Sequence, residues 1–148
     1  MREHFANALK EALKAKDTRR ISTVRLIQAA IKDRDIANRG HGKDPVGDDE
    51  ILQILAKMIK QREESARVYD EGGRPELAEQ ERQEIAIINQ FLPEQLSEEK
   101  VKEVCAKTVA EIGAHGLRDM GKCMNALKER YPGKMDFGKA SWVVKGLL

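Results

Sequence analysis

Apolar residues recur at intervals of three and four along almost the whole chain, the spacing of one face of an α-helix. Phe5, Leu9, Ala12 and Leu13 predict a first helix ending near Lys16. Asp17 stands where a side-chain cap would open a second. That helix carries Ile21, Val24, Ile27 and Ile31, and Leu26 with Ala30 widens the stripe, so burial on more than one side is expected. The stretch from Arg39 to Gly47 holds three Gly and one Pro and reads as a loop. Asp48 or Asp49 is expected to cap a third helix with Ile51, Leu52, Leu55, Met58 and Ile59 inward. Its pattern thins from Lys60 to Ser65, resumes at Val68 and Tyr69, and stops at Gly72-Gly73. Pro75 suits the first turn of a fourth helix, where its missing N–H is harmless, and Leu77, Ile85, Ile88, Phe91 and Leu92 line that helix.

Pro93 interrupts the pattern. Ser97 then caps a fifth helix with Val101, Val104, Cys105, Thr108 and Ile112 on its face, and Gly113 is placed to end it. Asp119 is expected to cap a sixth, carrying Met120, Met124, Leu127 and Tyr131 up to Pro132-Gly133. Asp136 is expected to cap a seventh, with Ala140, Val143, Val144 and Leu147. The expected fold is all-α: a four-helix bundle-like domain over residues 1–92, then a small three-helix domain over residues 93–148. The second part has about the size at which a core alone becomes marginal.

Composition agrees with helices. The 148 residues include only three Phe, two Tyr and one Trp, too few aromatics for a strand-rich sandwich. No run approaches the roughly 20 apolar residues that cross a bilayer, so no membrane partner is expected. Cys105 and Cys123 form no CxxC pair, which suits a reduced, cytoplasmic protein. The net charge of +2 is uneven along the chain. Residues 1–39 carry ten basic and five acidic groups, residues 49–92 six and ten, and residues 93–148 ten and eight. The start is basic, the middle acidic and the end mildly basic. Solvated helix faces account for this on charge alone; an anionic partner at one end is the sharper alternative.

Catalytic patterns are missing. His4, His41 and His115 have no ligand-spaced neighbour on the same element, so no metal is expected. Pro45 stands where a dinucleotide fingerprint needs Gly, and Asp44 follows Gly42-Lys43 where a phosphate loop needs Ser or Thr. No cofactor, and no nucleophile with base and oxyanion hole, can be assembled.

Two basic features remain. At 100° per residue, Arg25, Lys32 and Arg39 share one edge of the second helix. On the sixth, Arg118, Lys122 and Asn125 lie opposite Met120, Met124 and Leu127. Gly121 in its first turn costs roughly 1 kcal/mol of helix propensity. It permits close approach of another backbone, either a neighbouring helix or a ligand phosphate. Lys134 and Lys139 follow nearby in sequence. Such cations suit a sugar-phosphate backbone read by shape, whereas the scarcity of aromatics speaks against reading single strands by stacking.

Three strings point further. Phe91-Leu92-Pro93-Glu94-Gln95-Leu96-Ser97-Glu98-Glu99, Lys60-Gln61-Arg62-x-x-Ser65, and Asp119-Met120-Gly121-Lys122-x-Met124 followed by Gly133-Lys134-x-Asp136 resemble the YqeY family. That family is related to the C-terminal tail of GatB, a component of the glutamine-dependent aminoacyl-tRNA amidotransferases. The resemblance implies a two-part helical fold and contact with tRNA through Gly121, Lys122, Gly133 and Lys134, with Arg118 and Lys139 beside them. It implies an accessory role without catalysis by the chain itself, although the family label is carbon–nitrogen ligase with glutamine as amido donor. An amidotransferase or an aminoacyl-tRNA synthetase is the expected protein partner. Asn125 and Phe137 stand where family members commonly have Gly, which would narrow an RNA backbone's approach. The other reading is an adaptor that docks a basic partner on the acidic third and fourth helices.

Overall fold

A computed structural model describes residues Met1–Leu148. The protein is all-helical, with α1 (Arg2–Ala15), α2 (Thr18–Gly40), α3 (Asp48–Glu71), α4 (Pro75–Asn89), α5 (Glu98–Ile112), α6 (Met120–Arg130) and α7 (Phe137–Leu147). A 3₁₀ turn, Leu117–Asp119, leads into α6. No helix is long and apolar enough to cross a membrane. The chain divides into two compact units, Met1–Phe91 and Leu92–Leu148.

In the first unit α1 packs on α2, and α3 and α4 form a long hairpin that α2 joins. The hairpin turn follows from Gly72-Gly73. Gly73 adopts φ +72°, which a side chain would disfavour, and the N–H groups of Gly73 and Arg74 close on the carbonyls of Asp70 and Tyr69. Phe5, Val24, Ile27, Ile51, Leu55 and Ile88 are fully buried. Ala66 and Ala78 are buried too, on helices that pack closely against each other. Asn38, buried near the end of α2, donates to the Asp44 carbonyl (3.2 Å) and to Glu50 (3.3 Å), which ties down the glycine-rich loop.

Caps explain where the helices start. Asp17 accepts from the Arg20 N–H, Ser97 from Lys100, and Asp136 from Gly138 and Lys139, as expected. Two expectations fail. Gly47, not Asp48 or Asp49, occupies the cap position of α3, so those aspartates lie in the first turn, where the helix dipole favours them. Asp119 turns its carboxylate back to the His115 N–H (3.1 Å) and leaves the first N–H groups of α6 without a side-chain cap. The double-sided burial expected of α2 also fails. Leu26 is 45% exposed and Ile36 54%, because no other helix of the first unit covers that side.

In the second unit α5, α6 and α7 pack against one another around Val104, Cys105, Cys123, Leu127, Met135, Ala140 and Val144. The segment after Pro93 is fastened to the α6–α7 loop. The Leu96 N–H donates to the Lys134 carbonyl (2.8 Å), and Gln95 donates to the Gly133 carbonyl (2.6 Å). Arg130 pairs with Glu111 (2.6 Å) across α5 and α6.

Candidate RNA-contact surface

The start of α6 presents Arg118, Gly121 and Lys122 on the exposed side, while Cys123 and Leu127 point into the core. A Cβ built on Gly121 would meet no atom within 4 Å. Helix–helix packing therefore does not account for this glycine within the chain. Its missing side chain opens onto solvent, in the turn whose N–H groups have no side-chain cap.

The second group begins at Gly133, whose φ of +70° is a conformation that favours glycine. Gly133 and Lys134 are half-buried, because their carbonyls are held by Gln95 and Leu96. Lys139 is exposed in the first turn of α7. The candidate residues thus fall in two groups, not one cluster. Arg118, Gly121 and Lys122 stand at the start of α6, and Gly133, Lys134 and Lys139 follow its end. From Lys122 to Arg130 the helix rises about 12 Å. Of the two departures from the family pattern, Asn125 is exposed and Phe137 packs against the core of its own unit. The inward position of Phe137 leaves it poorly placed to obstruct an outside ligand.

Arg25, Lys32 and Arg39 are all exposed on α2, in the first unit, beside exposed Leu26 and Ile36. The acidic α3–α4 hairpin is partly neutralised by its own arginines. Arg67 pairs with Glu64 and with Glu71 (2.7 Å), Arg82 with Asp70, and Arg62 with Glu84 (2.9 Å). Asp49, Glu63, Glu76 and Glu79 are also exposed on these two helices, so carboxylates remain that a basic partner could meet. No group of three or more His, Cys, Asp or Glu side chains converges as a metal site.

One prominent residue escaped the sequence reasoning. Trp142, on α7, is 73% exposed, the most exposed large apolar side chain of the protein. The signal was Gly138 and Gly146 one turn to either side, with Lys139 and Lys145 three residues away, but only the packing of α7 shows which of its faces is outward.

Similar sequences support the reading of the three strings. A protein of Clavispora lusitaniae named "Altered inheritance of mitochondria protein 41, mitochondrial" is 34% identical over 72% of this chain and 61% of its own length. Proteins of the same name from Kluyveromyces lactis and Vanderwaltozyma polyspora are 31% and 30% identical, each over 90% of this chain and 65% of the relative. The chain thus spans less than two thirds of these relatives. Their names overturn the expectation of a cytoplasmic protein. That expectation rested on unpaired cysteines and on the lack of an apolar span. A reducing interior is not peculiar to the cytoplasm, and entry into another compartment does not require an apolar span. Residues 2–148 match the family described as "Yqey-like protein", and with almost every residue inside that match the chain belongs to the YqeY-like family.

Proposed function

We propose that the second unit is an RNA-contacting module, with tRNA as its ligand, acting as an accessory of the kind the amidotransferase GatB tail provides and not as a catalyst. The observation that carries this reading is the open space beside Gly121. A glycine in the first turn of a helix lowers helix stability. Nothing in the chain's own packing compensates for it. An incoming phosphate would: it could approach the start of α6, where no side chain caps the helix, with Arg118 and Lys122 alongside. Lys134 and Lys139, past the end of α6, would take phosphates further along the backbone.

Binding through about four phosphate contacts should weaken steeply with salt, with a log–log slope of roughly −3 to −4. The test is a filter-binding titration of bulk tRNA at several salt concentrations, with Lys122→Glu/Lys134→Glu beside the wild type. The double variant should lose most of its affinity and flatten the slope by about two. Unchanged binding by the double variant would remove the site assignment, and absence of tRNA binding at low salt would remove the function.

A further inference from the structure

Trp142 is the protein's only tryptophan and lies on the outward face of α7. Gly138 and Gly146, at i−4 and i+4, are its neighbours along that face, and neither has a side chain to lean on the ring. A Cβ on Gly146 would meet nothing within 4 Å. Lys139 and Lys145, at i−3 and i+3, share the face, and the Lys145 ammonium sits 5.2 Å from the ring centroid. The helix therefore holds out one exposed aromatic ring, with the Lys145 ammonium over one face and Lys139 a turn away on the same side of the helix.

We infer that Trp142 is a stacking platform for an unpaired nucleobase, with Lys139 and Lys145 taking the phosphates on either side of that nucleotide. The inference rests on the RNA-contact reading of this unit and extends it from the backbone to a base. An indole stacks on any base, and the neighbouring lysines supply the charge complementarity that a polyanion needs. A lipid surface fits less well. Membrane-lying helices bury several large apolar side chains on one face. Here the exposed Leu147 projects about 140° away from Trp142 around the helix. Its helical neighbours at i±3 and i±4 are only glycines and lysines.

Because Trp142 is the only tryptophan, its emission reports on this spot directly. The experiment titrates the full chain with three probes at low salt: bulk tRNA, whose loops and 3′ end are unpaired; a blunt RNA duplex without loops; and vesicles of phosphatidylcholine and phosphatidylglycerol. Filter binding is measured in parallel on the wild type and on Trp142→Ala. Bulk tRNA should quench the emission, and Trp142→Ala should lower tRNA affinity roughly five- to a hundredfold. Duplex affinity should not change. Trp142→Phe should recover part of the tRNA affinity, and the melting midpoint should stay put, because the ring supports no core. If tRNA binds but neither quenches nor discriminates Trp142→Ala, the platform is overturned while the RNA reading stands. If duplex affinity falls as much as tRNA affinity, the ring is not reading unpaired bases. If tRNA does not bind at all, both fail. A blue shift with vesicles and no response to RNA would make this face a lipid contact.

Discussion

The guanidinium of Arg62 is locked onto the carboxylate of Glu84 at 2.9 Å, tying α3 to α4, with side-chain exposures of only 14% and 17%. Arg62 also donates to the Met58 carbonyl (3.2 Å), and Arg19 of α2 stands 3.8 Å from Glu84. Burial, with Glu84 nearby, raises the Glu81 carboxyl above its ordinary range. Arg62 belongs to one of the three family-like strings, so at least part of that resemblance records a structural pin. Replacing Arg62 with Met would leave Glu84 half-buried with only the more distant Arg19. The expected loss is about 1–3 kcal/mol in denaturant unfolding, with tRNA affinity unchanged. An unmoved unfolding midpoint would show that the pair contributes nothing.

Arg2 grips Asp35 with two hydrogen bonds, at 2.9 and 2.8 Å, and the same carboxylate accepts from the Val46 N–H at 2.8 Å. These bonds, the Arg2 pair first, hold the Asp35 carboxyl down to about 2. A depressed carboxyl stabilises the fold wherever it is ionised in both states. That contribution is complete above the unfolded value near 4 and drains away as pH falls towards 2. Asp35→Asn should therefore be less stable than wild type at pH 6, and the difference should shrink as pH falls through about 2. A pH series of thermal melts checks this; a gap that widens on acidification would contradict it.

Gly121→Ala separates stability from binding. The added methyl meets no atom, and α6 gains helix propensity, so stability should rise by up to about 1 kcal/mol. Under the RNA reading, affinity for tRNA should fall at the same time, because the methyl occupies the approach path. A variant that is both more stable and equally tight in tRNA binding would count against contact at this turn.

Cys105 and Cys123 are free and fully buried, and burial pushes both thiols above their ordinary range. A thiolate is the reactive form. Labelling by an aromatic disulfide reagent at pH 8 should be slow in the folded protein and rapid in urea. Fast labelling under native conditions would mean that the second unit opens readily, as its small core permits.

Some of this was legible residue by residue. Asp17, Ser97 and Asp136 act as caps because each needs only an oxygen that reaches N–H groups two or three residues on, a local matter. Asp119 deceived the same rule, since the 3₁₀ turn before α6 aims its carboxylate backwards at His115. Leu26 and Val68 fit the apolar period yet lie exposed, while Ala66 and Ala78 are buried. Periodicity identifies a face but not whether a neighbour covers it. Lys122 and Lys134 were legible as family-string cations at the two ends of the sixth helix, but the tie of the Lys134 carbonyl to the Leu96 N–H, which half-buries that end, was not.

By itself, the sequence determined that this protein is all-helical, where most of its helices begin and end, and which family it resembles. Those properties follow from contacts within three or four residues and from ordered strings. Only the tertiary structure decided that Arg62 turns inward to Glu84 while Gly121 and Trp142 turn outward. Burial is settled by elements distant in sequence: the α3–α4 hairpin closes over Arg62, and no neighbouring element of its own unit closes over Trp142. The inward residue holds the fold, and the outward ones are left free to meet a ligand.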